Sequence, residues 1–251
     1  MISRRAFSIG LSTTALIAIP ACGMLGHSLP TYRYRLTVEV DTPEGIKTGA
    51  SVIEVRTTLA GKPTLPDANA LEIRVKGQAV MVDLGQRGVL FALLRRETFE
   101  NWAGGVMELV TPRPVGGPHK DAYANWHAAM LANTGRHVLP RYAPHVDSPP
   151  GPPAKPGDPP RDYPLLVRFR NLADPTTVER VDPDDLVRSF GPGAKLRQIT
   201  VELTDDPVTT GIEKRLGWLK QSEDGGLDPS LGAFANPSLA QTLSFSDFRR
   251  K

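Results

Sequence analysis

Cys22 is the single sulfur nucleophile of this 251-residue chain, and four of its five histidines, His119, His127, His137 and His145, recur at intervals of eight, ten and eight residues. A metal centre needs ligands converging at about 2.0–2.3 Å, and it is usually announced by close His or Cys pairs. No His-x₃-His pair occurs here, and neither a metal nor a cofactor is expected. The Gly-x-Ser-x-Gly turn of α/β serine hydrolases is absent, as are both glycine-rich phosphate cradles. Glycoside chemistry asks only for two carboxyl groups about 5–9.5 Å apart. Asp83, in phase with Ala79 and Met81, and Glu97 and Glu100, just beyond the apolar run Val89-Leu90-Phe91-Ala92-Leu93-Leu94, could supply such a pair. Trp102 and Trp126 flank Gly104-Gly105 and, with His127, form a tentative binding set, because aromatic faces beside pliable backbone suit a sugar or a peptide. The rival role for the same tryptophans is core packing. No residue is assigned a catalytic role.

The elements that must position these groups read mainly as strands. Tyr32, Tyr34, Leu36, Val38 and Val40 alternate with Arg33, Arg35, Thr37 and Glu39, the period of two that buries one face of a strand and wets the other. Residues 41–45 form a turn, and residues 51–58 return as a second strand with Ile53 and Val55 inward. Leu71, Ile73 and Val75 repeat the pattern, followed by Val80, Val82 and Leu84. The run 89–94 is apolar on both parities, so something must cover its second face. The predicted cover is a helix over residues 121–133, with Tyr123, Trp126 and Met130 at helical spacing. Ten prolines between Pro140 and Pro164 preclude a ladder or helix there.

Beyond that tract, Leu165, Val167 and Phe169 alternate again. Asp182-Pro183-Asp184-Asp185 predicts a helix capped at Asp182, carrying Leu186, Val187 and Phe190 inward. Ile199, Val201 and Leu203 make a further strand. Thr210-Gly211-Ile212-Glu213 reads as a capping box opening a helix with Ile212, Leu216 and Leu219 on one side. From residue 221 onward only Leu239, Leu243, Phe245 and Phe248 can dock. The expected fold is α+β: an antiparallel-rich sheet, a few short helices, a long proline-rich loop at 140–164 and irregular termini. One domain spans residues 32–220 and an irregular tail spans 221–251. A unit of roughly 57 residues after the prolines would be marginal alone, hence one domain rather than two lobes.

The N-terminus reads differently. Arg4 and Arg5 precede a weakly apolar run over residues 7–21, a stretch of about 15 residues that is too short to cross about 30 Å of hydrocarbon. Ser3-Arg4-Arg5-Ala6-Phe7 resembles the twin-arginine export signal of bacteria, in which Arg4, Arg5 and Phe7 are signature positions. Ile19-Pro20-Ala21-Cys22 resembles the bacterial lipobox, whose cysteine receives acyl chains and becomes the new N-terminus. That resemblance implies a signal peptide over residues 1–21, lipidation of Cys22, a tether over 22–31, and a periplasm-facing anchor. Gly23 after the cysteine favours the outer membrane. Residues 32–56 and 167–219 also resemble segments of proteins from Gram-negative bacteria that carry no assigned activity.

Removing residues 1–21 removes two arginines and no acid, leaving 28 basic against 27 acidic residues. No run of Lys and Arg marks a nucleic-acid face or a polybasic lipid patch. The sequence therefore predicts a membrane-tethered envelope lipoprotein with a non-catalytic binding or scaffolding domain, its partner another envelope protein or a glycan. The alternative is a periplasmic hydrolase using carboxylates around Asp83 and Glu100.

Overall fold

The computed structural model describes residues 26–59, 71–97, 100–114, 122–141, 162–220, 225–230 and 237–251. Arg4, Arg5, Phe7 and Cys22, and most of the proline-rich segment (142–161), lie outside the described residues. In chain order the strands are β1 (His27–Ser28), β2 (Tyr32–Thr42), β3 (Gly45–Leu59), β4 (Leu71–Gln78), β5 (Val80–Asp83), β6 (Val89–Ala92), β7 (Arg136–Val138), β8 (Leu166–Phe169), β9 (Val178–Arg180), β10 (Lys195–Leu203) and β11 (Arg249–Arg250). The α-helices are α1 (Ala122–Ala132), α2 (Leu186–Phe190) and α3 (Leu239–Thr242).

The fold is rich in antiparallel sheet, with few and short helices. A seven-stranded sheet has the order β11-β4-β3-β2-β10-β7, with β1 also paired to β3; a four-stranded sheet has the order β5-β6-β8-β9. The alternation in the sequence explains the first sheet. β2 and β3 pair without a slip from Thr42–Gly45 to Tyr32–Val55. Their inward residues, Tyr34, Leu36, Val38, Val40, Ile53 and Val55, are all buried. The two sheets close on each other at Gly49. A Cβ built there would lie 2.1 Å from the Met81 carbonyl oxygen and 2.7 Å from its carbon, so only glycine fits this crossing.

β6 is the hinge of the packing. Leu90, Ala92 and Leu94 belong to a core shared with β2, β3, β10, Trp102, Met107 and Met130. Val89, Phe91 and Leu93 belong to a second core with Val167, Phe169, Ile212, Trp218 and Phe248. The sequence assigned the cover of the second face to the helix at 121–133. That helix forms, as α1, but its Met130 joins the first core. The second face is covered instead by residues beyond 210, with Ile212, Leu216, Leu219, Leu243 and Phe248 packed in one cluster with Val89, Phe91 and Leu93.

Four local expectations change. α2 begins at Asp185, whose carboxylate accepts from the Arg188 amide at 3.2 Å, while Asp182 accepts from the Asp184 amide at 2.9 Å in a preceding turn. The helix is one turn long, so Leu186 and Phe190 are buried at i and i+4 and Val187 is 48 % exposed. Thr210 caps no helix: Gly211 takes φ +107°, the Ile212 amide donates to Gln78 Oε1 at 2.9 Å, and the segment winds as two 3₁₀ turns, Ile212–Lys214 and Gly217–Lys220. The tether expected over 22–31 joins the sheet already at His27, opposite Leu59. The tail is ordered over its last fifteen residues, where Ser238 and Gln241 form a capping box and Arg249 pairs with Gln78.

Candidate functional site

The strongest concentration of unusual chemistry lies where α1 and the 3₁₀ turn Val106–Leu109 cover the start of β2. β2 turns Tyr32 and Tyr34 toward this layer. Tyr34 donates to the Ala103 carbonyl oxygen at 2.7 Å. The Tyr32 ring meets His127 edge-on, with centroids 5.6 Å apart. His127, on α1, is 1 % exposed, and its Nε2 has no hydrogen-bond partner among the described residues; Thr57, on β3, is 2 % exposed, with its hydroxyl beside that of Tyr123. One turn earlier on α1, Tyr123 donates to Glu108 Oε1 at 3.0 Å. Burial pushes the Glu108 carboxyl above the ordinary glutamate range and both phenols, Tyr32 and Tyr123, far above theirs. Burial pushes His127 down, so the imidazole is held neutral. A buried ring nitrogen without a partner is expensive, and one that meets a carboxyl, two phenols and a threonine hydroxyl marks this cluster as a candidate site.

Beside it opens a cleft of about 520 Å³, lined by Tyr32 and Arg33 of β2, Leu131 of α1, Thr134, Leu203 of β10, and Asp205. Apolar wall and polar rim are both present, the composition typical of a small-molecule or peptide-tip pocket. Arg33 is fixed in it: Nε donates to Glu54 at 3.0 Å, and Nη1 reaches the carbonyl oxygens of Asp205 and Asp206, each at 3.4 Å. Desolvation is the largest single influence on the Glu54 carboxyl and raises it, but the hydrogen bonds and charges of Arg33 and Arg56 together outweigh it and hold the carboxylate below the ordinary glutamate range.

Of the expected binding set, the structure brings His127 into this cluster and Trp126 to its edge, where the Trp126 ring meets Tyr123 with centroids 6.2 Å apart. Trp102 is 2 % exposed and donates from Nε1 to the Asp162 carbonyl oxygen at 2.9 Å, a core position. Trp126 is half-buried, tied to the Thr111 carbonyl oxygen at 3.0 Å, with the Arg113 guanidinium 5.3 Å from its ring centroid. The carboxylates of the alternative reading stand in different settings. Asp83 is exposed, 3.3 Å from Arg215, and also accepts from the Gly85 amide; Glu100 is exposed, 3.9 Å from Arg95. Glu97 pairs with Arg180. His119 and His145 lie outside the described residues, and His137 stands on β7 opposite Val201. Among the described residues no group of three or more His, Cys, Asp or Glu is placed to hold a metal ion.

Sequence reasoning missed Thr57, Glu108, Tyr123 and the whole cleft rim. They come from β3, a 3₁₀ turn, α1 and the exit of β10, and no spacing links them in sequence. The single available signal was Tyr123 four residues before His127 on the same helix face.

His127 gives a pH test. Its folded-state affinity for a proton is lowered, so the unfolded chain protonates first, near 6.5. Stability is then lost as pH falls below about 6.5, by at most about 1.4 kcal/mol per unit. Glu108 acts with the opposite sign: its raised folded value favours the folded state on acidification toward the carboxylate range. Urea midpoints of the His127→Leu variant are expected to vary less between pH 7.5 and 5.5 than those of the parent, and an unchanged slope would show that His127 is not the titrating group.

Comparison with protein-family models, curated proteins and solved structures finds no match to this chain. The reading of the cleft rests on its own residues.

Proposed function

We propose that this chain is an exported envelope lipoprotein, anchored through acylated Cys22 and facing the periplasm. Its single α+β body binds or scaffolds another envelope protein or a glycan through the cleft beside Tyr32. The observation that carries the binding reading is that cleft: Leu131 and Leu203 offer apolar surface, Arg33 is held in place by Glu54, and Thr134 and Asp205 add polar groups, beside a buried wall that contains His127 and Thr57. The anchoring reading rests on the lipobox resemblance at residues 19–22. Binding is favoured over hydrolysis because Asp83, Glu97 and Glu100 each pair with a different arginine, Arg215, Arg180 and Arg95, and none of the three lines the cleft.

Two measurements test the proposal. Cys22→Ala is expected to move the protein from the membrane pellet to the soluble periplasmic fraction, and retention in the pellet would refute lipid anchoring. Thr134 is exposed at the rim, so Thr134→Trp fills the cleft without entering the core. Cross-linking in cells is expected to lose the partner adduct in this variant at unchanged melting temperature. An adduct of the same size and yield would place binding elsewhere.

A further inference from the structure

The chain is tied to the sheet almost as soon as it has passed the anchoring cysteine. β1 pairs His27 with Leu59 and Ser28 with Thr58, and the Leu29 amide donates to the Thr57 carbonyl oxygen at 2.9 Å. Cys22 and His27 are five residues apart (27 − 22 = 5), and an extended chain spans at most about 3.6 Å per residue, roughly 18 Å in all. A lipid on Cys22 therefore holds the Leu59 end of β3 within one short strap of the headgroups. β3 is 15 residues long, so at about 3.3 Å per residue its other end, at Gly45, is up to about 46 Å away.

The surface at the tethered end is basic. On the face turned away from the core, Glu54 stands opposite both Arg33 and Lys76, Arg56 opposite Arg74, and Thr58 opposite Glu72. Four cations face two carboxylates on this stretch; the next acids, Glu202 and Asp206, lie toward β10 on the far side of β2, where both pair with Arg35. Arg56 and Arg74 confront each other directly across the strands, a pairing that is unfavourable when nothing negative lies over it. Each has one carboxylate at 2.8 Å, Glu54 and Glu72 respectively, yet the two arginine side chains remain 65 % and 78 % exposed. Residues 33, 56, 74 and 76 come from three strands, which is why the sequence shows no basic run.

We infer that this patch of β2, β3 and β4 is a membrane-docking surface, seated on anionic phospholipid headgroups, so that the anchored domain stands in one orientation with the Thr42–Gly45 hairpin tip pointing away from the bilayer. Each basic residue close to an anionic leaflet adds about fivefold to partitioning, and the strap supplies the proximity. The inference rests on Cys22 being the acylated residue of the proposed lipoprotein. The cleft shares Arg33 with the patch and opens beside Thr31, so its mouth lies at the bilayer side of the molecule.

The test uses the full acylated protein in vesicles of phosphatidylethanolamine and phosphatidylglycerol that carry a headgroup-attached quencher. With the Cys22 sulfur occupied by lipid, a fluorophore is placed on Thr58→Cys, within the patch, or on Ile46→Cys, which is 53 % exposed near the hairpin tip. The Thr58 probe is expected to be quenched at least threefold more than the Ile46 probe. Lengthening the strap with twenty Gly and Ser residues after Gly23 leaves the patch to hold the orientation alone. The preference is then expected to persist on vesicles with phosphatidylglycerol, and to vanish on phosphatidylcholine vesicles or with Arg56→Gln and Arg74→Gln together. Equal quenching of the two probes on protein that still floats with the vesicles overturns the docking surface and leaves the anchor standing. A preference for Thr58 that persists in the lengthened protein on phosphatidylcholine overturns the headgroup assignment. Protein that fails to float overturns anchor and docking together.

Discussion

Phe248→Ala is expected to lower the stability of the fold by about 3–5 kcal/mol, the range for deleting a fully buried aromatic side chain. Phe248 is 0 % exposed and sits in an aromatic cluster, with ring centroids 5.4 Å from Trp218, 5.7 Å from Phe169 and 6.3 Å from Phe91. Its carbonyl oxygen also accepts the Ala79 amide at 2.8 Å, joining the C-terminal segment to the start of β5. The backbone bond survives the substitution, so the loss reports the ring alone. At roughly 2–4 °C per kcal/mol for a chain of this size, the melting temperature should fall by about 6–20 °C. Phe248→Leu, which keeps apolar volume and leaves a smaller cavity, should lose less than half as much. A shift under about 1 kcal/mol for the alanine variant in urea titrations would mean that the second core does not depend on this residue.

Gly49→Ala is the complementary experiment, overfilling rather than emptying. The added methyl would meet a backbone carbonyl, not the movable end of a side chain, and the strands on both sides are fixed: Gly49 pairs with Val38, and β5 pairs with β6. One strand must therefore move. Overpacking of this kind costs about 1–3 kcal/mol, and an oxygen 2.1 Å away argues for the upper end. The control is Gly217→Ala, where a Cβ would meet nothing within 4 Å. That variant should stay within about 0.5 kcal/mol of the parent, so a similar loss in both would show that glycine flexibility, rather than contact, sets the effect.

Strands with one wet face were legible because their alternation is a local property. Arg33, Arg35 and Glu39 between Tyr32 and Val40 dictate which residues turn inward, and the structure follows them. Partnerships across the chain were not legible. The apolar run at 89–94 demands a cover, but local pattern cannot say whether Met130 or Phe248 provides it; total apolar surface decides, and only the fold sums it. Asp182, Asp184 and Asp185 are all capable caps, and which one begins the helix depends on where Leu186 and Phe190 must point. Thr210-Gly211-Ile212-Glu213 fits a capping box by type, yet Gln78, 134 positions away, takes the Ile212 amide. The candidate site was half visible: His127 could be singled out, whereas Glu108, Thr57 and the Arg33 rim are neighbours only in space.

Phe91 precedes Phe248 by 157 positions, and the strand that carries it waits for that distant partner. Chains emerge from the ribosome at about 5–20 residues per second, so for roughly 8–30 s each newborn molecule carries Val89, Phe91 and Leu93 with their final lid not yet made. During that interval the greasy side of β6 is open to strand-seeking neighbours and to holdase chaperones alike. Synthesis tempo and chaperone supply should accordingly govern how much of this protein reaches its destination intact.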